Sequence, residues 1–490
     1  MGTPSLEKAP FLLTIAAQRY GQRTAIQTPD SSISYEDLDA WSWSLEQALL
    51  SKGLASGDVV MVVAKPSPVL VALMAGMWRA GVIFAPVSHR LPSSQLSSMA
   101  KTVDAQLLVA DSSLCDDLDV DVPTISLQDI QQTSLAYTRS KMTLGLVSLS
   151  QPATLVWTSG SSREPKAALH TYGNHFYSAL GSNENIRLDG NHQWLLSLPM
   201  FHVAGIALVM RAWVAGAAVG VPGPDMTLAE SLERLRPTHL SLVATQLQRL
   251  LEQDNPARDC LMECHSILLG GSAIPAALLT EAKDLNLPVY TSYGSTEMAS
   301  QIATTGSGAP LGELLTAGKV LPYREVRLDD EGGIWVKGQT LFSGYVSKTG
   351  LLRPFDEDGW FAMGDLGEWT QDGRLRILGR KDAMFISGGE NIQPEEIEWH
   401  LEQHPDVLQA RVVDVPEPEF GARPHAFVEL RQGVPLEQAR LTQHLEGRLP
   451  RFKHPDLYHS WPKTLVGSGI KISRNQLRAL ACDTLNKVKV

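Results

Sequence analysis

The chain has 490 residues, of which 43% are hydrophobic and 19% charged, so a large buried core is expected and global disorder is excluded. Its 42 basic and 53 acidic residues give a formal net charge of −11. This balance argues against a protein that grips nucleic acid through a field of basic side chains. The four cysteines lack paired zinc-ligand spacing, which excludes a disulfide scaffold. Cys260, Cys264 and His265 favour ordinary packing, with a partial metal cluster as the weaker alternative.

No segment predicts export or membrane insertion. The apolar run over residues 11–17 is short and follows Glu7 and Lys8, unlike a secretory signal with a basic start and a cleavage site. The run over residues 69–78 stops at Arg79, well below the roughly 20 residues that a bilayer span needs. The sequence therefore predicts a cytoplasmic protein without a membrane span.

Helix-like and strand-like stretches alternate through the first third of the chain. Ser34 and Asp37 form a capping-box pattern ahead of an apolar helical face, and Gly53 follows it. Apolar runs predict strands over residues 59–63, 82–87, 153–157, 238–243 and 266–269, and a helix over residues 68–80. Units of this kind favour parallel sheets with helices on both faces. We therefore predict an α/β fold with a large N-terminal domain of doubly wound sheets.

The composition changes near residue 320, where short strand patterns alternate with acidic and glycine turns. We predict a small β-rich module that ends at Gly379-Arg380 and completes an N-terminal domain over residues 1–380. A strand, a helix beginning at Pro394, two further strands and a second helix then predict a small α+β domain over residues 381–490. The predicted hinge is Arg380-Lys381-Asp382.

The segment from Thr158 to Lys166 carries the strongest local signal for chemistry. It reads Thr-Ser-Gly-Ser-Ser-Arg-Glu-Pro-Lys and directly follows a predicted strand. Small hydroxyl residues around a glycine allow backbone N–H and hydroxyl groups to converge on phosphate oxygens, and Lys166 adds positive charge. Pro165 stands where a Walker loop has its second glycine, so this is a different kind of phosphate loop. Taken alone, the segment is more typical of a solvated turn.

Further motifs follow this loop in order: Tyr293-Gly294-Ser295-Thr296-Glu297, Gly364-Asp365, Gly379-Arg380-Lys381-Asp382, Ser387-Gly388-Gly389-Glu390-Asn391-Ile392 and Pro394-Glu395-Glu396. Together they resemble the adenylate-forming superfamily, which includes acyl-CoA ligases, peptide-synthetase adenylation domains and beetle luciferases. The resemblance runs from about Tyr35 to Arg474. Several motifs in one order are far more specific than any single motif.

The resemblance implies that a carboxylic acid is adenylated with ATP and Mg2+ and then transferred to coenzyme A. It implies that Thr158 and Glu297 are catalytic and hold the magnesium ion. The implied nucleotide contacts are Ser159, Ser161, Lys166 and Thr296 for the triphosphate, Asp365 and Arg380 for the ribose, and Gly270, Gly271, Ser272 and Tyr293 for the adenine, with Gly160, Ser162, Ser292 and Gly294 as further cofactor-binding positions.

The resemblance also implies a mobile C-terminal domain. Lys471 follows the turn over residues 467–469 and matches the catalytic lysine that bridges the substrate carboxylate and the α-phosphate; alone, it would be read as a surface charge. The domain is then expected to rotate about Asp382, so that Gly388 and Gly389 leave room for the pantetheine arm of coenzyme A. Without the resemblance, the two glycines predict only a turn.

Residues 195–205, 268–275, 389–396 and 469–474 narrow the resemblance to the o-succinylbenzoate–CoA ligase branch of the superfamily. This branch implies 2-succinylbenzoate as the acid and a step of menaquinone biosynthesis. The acid carries a spectator carboxylate and an aromatic ring besides the carboxylate that reacts. Its site therefore needs an apolar slot and a polar anchor.

Arg211 interrupts the apolar run over residues 206–219 and is the predicted anchor, because an unpaired buried guanidinium is costly. An arginine that reaches the surface from its helix is an equal alternative. His202 is predicted to line and gate the acyl site as a catalytic group, with a core histidine as a comparable alternative. Weaker candidates for the same wall are Ser197, Thr245 and Gln246.

Three positions depart from the superfamily pattern: Arg163 replaces a glycine of the phosphate loop, Met363 a threonine, and Ile470 a glycine before the lysine. Three rival functions stay open. They are a CoA ligase for another aryl or medium-chain acid, an adenylating enzyme that makes no thioester, and a nucleotide-binding sensor without turnover. The sequence is compatible with a homo-oligomer.

Overall fold

The computed structural model describes residues 7–115, 118–137, 145–158, 166–252, 255–271, 273–388, 390–462 and 473–488. The helices are α1 Leu12–Tyr20, α2 Tyr35–Ser51, α3 Pro68–Ala80, α4 Ser93–Val103, α5 Ser112–Cys115, α6 Leu127–Ser134, α7 Tyr172–Asn185, α8 Val203–Ala215, α9 Leu228–Leu235, α10 Ala244–Leu251, α11 Arg258–Met262, α12 Ala276–Asp284, α13 Leu311–Leu314, α14 Pro394–Leu401, α15 Gln438–Leu445 and α16 Arg474–Val488.

The strands are β1 Lys8–Pro10, β2 Thr24–Gln27, β3 Ser32–Ser34, β4 Val59–Val63, β5 Ile83–Pro86, β6 Ala105–Ala110, β7 Thr124–Ser126, β8 Leu146–Ser148, β9 Pro152–Thr158, β10 Lys166–Thr171, β11 Gln193–Leu195, β12 Ala218–Gly220, β13 His239–Leu242, β14 Ser266–Leu269, β15 Val289–Ser295, β16 Ser300–Thr304, β17 Lys319–Val320, β18 Arg324–Leu328, β19 Gly333–Gly338, β20 Gly344–Ser347, β21 Gly350–Leu352, β22 Phe361–Trp369, β23 Leu375–Arg380, β24 Phe385–Ser387, β25 Glu390–Ile392, β26 Val407–Glu417, β27 Gly421–Leu430 and β28 Leu457–Ser460.

Two large sheets form the N-terminal part. One has eight strands in the order β21-β20-β10-β9-β5-β4-β6-β7, and the other has nine in the order β17-β16-β15-β14-β13-β11-β12-β2-β3. The central strands of each sheet are parallel. In the eight-stranded sheet β10, β20 and β21 pair antiparallel at one end; in the nine-stranded sheet β16 and β17 do so at one end and β3 at the other. The α/β fold class predicted from the sequence is confirmed, with these antiparallel ends as an addition.

Local sequence signals set the ends of the first long helices. The Ser34 hydroxyl accepts a hydrogen bond from the backbone N–H of Asp37 at the start of α2. Ser67 caps α3 in the same way, and Gly81, with φ of 75°, ends it in the left-handed conformation. The strand predicted over residues 59–63 and the helix predicted over residues 68–80 are both confirmed.

Buried apolar residues form separate cores around the sheets. One core joins Val60 and Val62 of β4 to Ile26 of β2 and to residues of α2, α3, α7 and α8, so it links the two large sheets. Val59 and Met61 of β4 face another core on the opposite side of their sheet. Because both faces of β4 are covered, its residues form a continuous apolar run instead of alternating with polar ones.

The C-terminal part has its own apolar cores. The first is built around α14, α15 and the three-stranded sheet of β26, β27 and β28, and the second packs α16 against β26 and β27. A four-stranded sheet of β18, β19, β22 and β23 lies before it in the chain and ends at Arg380. A 3-10 turn over Lys381–Ala383 connects the two regions. Among the helices that the structure describes, none is long and apolar enough to cross a bilayer.

Buried His239, at the start of β13, provides a test of pH-dependent stability. Its Nε2 donates to the backbone oxygen of Arg187 at 2.8 Å, and burial lowers its pKa from 6.5 to about 4. Between these values the unfolded chain binds a proton that the folded chain does not, so stability falls as the pH falls from 6.5 towards 4. In His239→Gln this contribution is absent. We expect the stability of the wild type relative to this variant to fall by about 1.4 kcal/mol per pH unit in that window, measured by urea unfolding; a constant difference would contradict the expectation.

Candidate active site

Thr158 and Lys166 stand at the two edges of the predicted phosphate loop. They are paired directly across the antiparallel strands β9 and β10. Thr158 is partly buried, whereas Lys166 is exposed. Residues 159–165, which include Ser159, Gly160, Ser161, Ser162 and Arg163, lie outside the described residues. Strand pairing therefore places a hydroxyl and an ammonium group at the two ends of this segment.

Glu297 lies in a 3-10 turn that directly follows β15. One of its carboxylate oxygens accepts a hydrogen bond from the hydroxyl of Tyr345 at 2.7 Å, and its backbone oxygen accepts one from the N–H of Phe342 at 2.8 Å. The Nζ of Lys166 lies 5.2 Å from the centre of the Tyr345 ring. Because Tyr345 is on β20, next to β10, sheet register brings the edge of the phosphate loop to Glu297.

The chemistry of this pair fits a magnesium ion that arrives with a phosphate ligand. A carboxylate of Glu297 and a hydroxyl of Thr158 are hard oxygen donors. Within the described ranges, no group of three or more His, Cys, Asp or Glu side chains could hold a metal by itself. Mg2+ is usually bound by one or two carboxylates plus substrate phosphates and water, which is the coordination that this arrangement could complete.

The predicted ribose contacts come together in one hydrogen-bonded cluster. Buried Asp365 accepts from the hydroxyl of Tyr293 and, at 3.2 Å, from Nη1 of Arg380. Burial raises the pKa of Asp365, and the bonds from Tyr293 and Arg380 oppose this rise. The other side of the Arg380 guanidinium donates to Asp382 at 2.9 Å. One cation thus bridges the predicted ribose carboxylate and the predicted hinge.

The described adenine candidates, together with the further cofactor-binding candidates Ser292 and Gly294, lie towards the carboxyl ends of adjacent strands. Gly270 and Gly271 directly follow β14, while Ser292, Tyr293 and Gly294 end β15 beside it. Gly271 has φ of 85°, and a side chain at Gly294 would collide with the backbone oxygen of Ser300, only 2.1 Å from where a Cβ would lie. Loops at the carboxyl ends of strands are where open α/β sheets bind ligands. Ser272 lies outside the described residues.

Arg211 is fully buried on α8, so the surface alternative weighed for it is wrong. Its Nη2 donates to the hydroxyl of Ser300 at 3.3 Å, its guanidinium lies 5.4 Å from the ring of Trp194, and its Nε has no hydrogen-bond partner among the described residues. No acidic side chain of the described chain pairs with it, and burial lowers its pKa to about 9. Among the described residues, a second buried arginine, Arg324, donates to neutral oxygens of Gln301, Pro322 and Ser178. The region therefore carries buried positive charge with no described carboxylate.

The other predicted acyl-site residues lie after β11, before α8 and at the start of α10. The Ser197 hydroxyl donates to the backbone oxygen of Ser241 at 2.5 Å. Exposed His202 precedes the first residue of α8, with its ring 4.7 Å from that of Phe201, so the alternative of a core histidine is wrong. Thr245 and Gln246 are in the first turn of α10, and Gln246 accepts from the backbone N–H of Val243.

The described C-terminal residues meet this cluster at Arg380, whose backbone oxygen accepts from Gln393 at 3.0 Å. The backbone N–H of Gly388, with φ of 59°, donates to the oxygen of Phe420 at 2.9 Å. Gly389 and Lys471 lie outside the described residues. Asp382 touches the nucleotide residues only through Arg380 among the contacts described here.

Comparison with known proteins identifies the family. A model described as AMP-binding enzyme matches residues 13–346, and one described as AMP-binding enzyme C-terminal domain matches residues 396–467. This chain belongs to the AMP-binding enzyme family. The superfamily resemblance derived from the ordered motifs is confirmed.

Several members of the family are similar over nearly the whole chain. A 2-succinylbenzoate–CoA ligase of Geobacillus kaustophilus is 32% identical, covering 91% of this chain and 92% of the relative. The ligase of the same name from Escherichia coli is also 32% identical, covering 94% and 95%. The o-succinylbenzoate CoA synthetase of Bacillus subtilis in complex with the acyl-adenylate OSB-AMP is 28% identical, with a TM-score of 0.86 over 96% of this chain and 99% of that chain.

Three contacts of this AMP-binding enzyme were missed by sequence reasoning. The hydroxyl of Tyr345 donates to Glu297, and the hydroxyl of Ser300 accepts from Arg211. Nε2 of buried His170 lies 2.7 Å from the backbone oxygen of Thr296. Each belongs to a strand, β20, β16 or β10, that the sequence analysis did not predict. No local pattern marks these residues, because their roles depend on which distant strands pair.

Proposed function

We propose that this protein is an ATP-dependent acid–thiol ligase of menaquinone biosynthesis, which adenylates 2-succinylbenzoate and transfers the acyl group to coenzyme A. The observation that carries the proposal is buried Arg211, a cation without a described carboxylate partner, which donates to Ser300, three residues after Glu297 in the sequence. An unpaired buried charge is costly unless a ligand completes it. The ligases of this name that resemble the chain over more than nine-tenths of its length support the same substrate.

In the first half-reaction, an oxygen of the aliphatic carboxylate attacks the α-phosphorus of ATP, and the bond to the β-phosphate oxygen breaks to release pyrophosphate. Attack between two anions depends on positioning and charge neutralisation. Lys166 and Thr296 contact the triphosphate together with Ser159 and Ser161, and Lys471 bridges the two reacting groups. Magnesium bound with ATP would be held by Thr158 and Glu297 and would neutralise phosphate charge.

In the second half-reaction, the thiol sulfur of coenzyme A attacks the acyl carbon, and the bond to AMP breaks. The thiol needs a different approach from the one that Lys471 occupies. We propose that residues 381–490 form a lid that rotates about Asp382 and brings Gly388 and Gly389 to the site. The separate apolar cores before and after the 3-10 turn at Lys381–Ala383 support a rigid-body rotation of this kind.

Specificity for 2-succinylbenzoate would come from Arg211, which pairs with the aromatic carboxylate through two N–H groups. Trp194, Ser197 and His202 form the surrounding wall, with Thr245 at its edge. A fatty acid or a simple aryl acid offers no second carboxylate to this cation. We also propose that the enzyme is cytoplasmic and that it associates into a homo-oligomer.

A thioester assay with ATP, Mg2+, coenzyme A and a panel of acids tests this function. The panel contains 2-succinylbenzoate, benzoylpropionate, benzoate and medium-chain fatty acids. We expect kcat/KM to be highest for 2-succinylbenzoate, with AMP and thioester formed in equal amounts. A higher value for a fatty or simple aryl acid would refute the substrate, and AMP release without thioester would refute the ligase reaction.

Asp365→Ala is expected to raise the KM for ATP by about 10- to 100-fold, because one or two hydrogen bonds to a charged carboxylate are worth about 1.5–3 kcal/mol each. The wild type should bind 2′-deoxyATP more weakly than ATP, whereas the variant should bind both nucleotides equally. Steady-state kinetics with each nucleotide measure this difference. If the variant still discriminates as the wild type does, Asp365 does not contact the ribose.

A further inference from the structure

Three buried polar side chains form a hydrogen-bonded row behind the proposed triphosphate site. His170 Nε2 lies 2.7 Å from the backbone oxygen of Thr296, and its Nδ1 lies 3.3 Å from the hydroxyl of Thr154. The same hydroxyl lies 2.7 Å from Nε2 of His175. His175 Nδ1 is buried and has no partner among the described residues, and the ring stacks on Trp78. His170, His175 and Thr154 are completely buried.

The geometry fixes the direction of every bond in this row. A carbonyl oxygen can only accept, so His170 donates from Nε2 to Thr296. Neutral His170 then accepts at Nδ1 from the Thr154 hydroxyl, whose oxygen in turn accepts from Nε2–H of His175. The reverse direction would need a charged His170 at a completely buried position, which is costly; Nδ1 of His175 has no described partner in either direction. Burial lowers the pKa of His170 to about 4 and that of His175 well below 6.5, in agreement with two neutral rings.

The row ties together the two sides of the proposed triphosphate site. Thr154 is on β9, four residues before Thr158, and His170 is on β10, four residues after Lys166; the two are paired across the strands. At its other end the row holds the carbonyl of Thr296, the residue before Glu297. Both edges of the phosphate loop are thus connected to the turn that carries the proposed magnesium ligand.

The turn at Glu297 needs such support, because the chain after it is strained. Ala299 has φ of 51° and Ser300 has φ of 112°, two consecutive non-glycine residues in the left-handed half of conformational space. Strained backbone persists only where surrounding contacts determine it. At Ala299 and Ser300 these contacts include a bond from the Ser178 hydroxyl and one from Arg211. Next to them, His170, Phe342 and Tyr345 hold Thr296 and Glu297.

We propose that His170 is a positioning residue. Through the row of hydrogen bonds from His175 and Thr154, which all run in one direction, it holds the Thr296–Glu297 turn in a fixed position relative to β9 and β10, the strands that flank the phosphate loop. The inference rests on the proposed role of this turn in binding ATP and magnesium. His170 does not touch the substrates. Its effect is on where the oxygen atoms of Thr296 and Glu297 stand before the nucleotide binds.

The direction of the row can be tested without any nucleotide. Nitrogen NMR of the full chain with 15N-labelled histidine reports which ring nitrogen carries the proton, and the His170→Gln spectrum assigns the signal. At pH 7 we expect His170 to be neutral and protonated at Nε2. A charged ring, or protonation at Nδ1, would overturn the proposal whatever the enzyme's substrate is.

The consequence for ATP is tested with variants that remove single bonds. In Thr154→Val, which keeps the side-chain shape, we expect the KM for ATP at saturating Mg2+ to rise by about 10-fold, equivalent to about 1.4 kcal/mol, while the KM for 2-succinylbenzoate stays within about 2-fold of the wild type. Thr154→Ser restores the hydroxyl and should restore the KM. Calorimetric titration with ATP, with and without Mg2+, should show a larger loss of affinity when the metal is present.

His239 supplies a matched control, because it is also a buried histidine with Nε2 on a backbone oxygen and Nδ1 beside a threonine hydroxyl. We compare His170→Gln with His239→Gln for thermal stability and for the KM for ATP. Similar melting temperatures with a raised KM only in His170→Gln support the proposal. Equal KM values in the two variants, together with an unchanged KM in Thr154→Val, would show that the row supports the fold alone. A wild type that does not use ATP would instead refute the proposed function.

Discussion

A Lys471→Ala variant is expected to form the acyl-adenylate about 100- to 1000-fold more slowly than the wild type, because a positioned donor of this kind contributes about 3–4 kcal/mol to the transition state. The lysine would neutralise the substrate carboxylate and the α-phosphate as their oxygen and phosphorus atoms approach. ATP–pyrophosphate exchange in the presence of 2-succinylbenzoate measures this step directly.

The second half-reaction provides the internal control for Lys471. When the acyl-adenylate is supplied ready-made, the variant should transfer the acyl group to coenzyme A at close to the wild-type rate. Lys101→Ala is a matched surface control, since the Lys101–Asp121 pair is mostly exposed and such pairs contribute little. Undiminished pyrophosphate exchange in Lys471→Ala would disprove the proposed role.

An Arg211→Met variant is expected to lose about 100-fold or more in kcat/KM for 2-succinylbenzoate, because removing one partner of a buried charge pair costs about 2–5 kcal/mol. Benzoylpropionate lacks the aromatic carboxylate, so its much lower kcat/KM should change little. The KM for ATP should stay within about 2-fold of the wild type. Arg211→Lys keeps the charge but not the two parallel N–H groups, and it should fall between the wild type and Arg211→Met.

The Arg211→Met variant should not lose stability in the absence of substrate. Arg211 is buried with no described acidic partner, and replacing such a charge by an apolar side chain of similar length is commonly neutral or stabilising. We expect the melting temperature of Arg211→Met to equal or exceed that of the wild type. A large fall in melting temperature, with equal loss of activity towards both acids, would identify Arg211 as a structural residue.

Much of the fold could be predicted because its elements have strong local signals. The strand β4 and the helix α3 match the predicted residues, since a continuous apolar run marks the first and Ser67, Pro68 and Gly81 mark the ends of the second. The strand β10 was not predicted, although it pairs with a strand on each side, β9 and β20. One of those neighbours, β20, is far away in the sequence, and long-range pairing of this kind leaves no local periodicity.

The candidate site likewise contains some contacts between residues that motifs predicted and others that no local pattern could predict. Asp365, Arg380 and Tyr293 were named from motifs, and in the structure Asp365 accepts hydrogen bonds from both of the others. The bond between Tyr345 and Glu297 could not be predicted, because only sheet register brings the two together. For Arg211 the sequence did contain a deciding signal: α8 is apolar on all sides, and such helices are normally buried.

The position of Arg211, the proposed anchor, on α8 among residues that connect both large sheets has a consequence for how such an enzyme could change its substrate. Surface loops can change without disturbing packing, but a guanidinium on a fully enclosed helix can be moved or replaced only through substitutions in the interior. A descendant that accepts a different acid would need substitutions in the interior. Because such substitutions usually lower the free energy of unfolding, stability would limit this change of substrate.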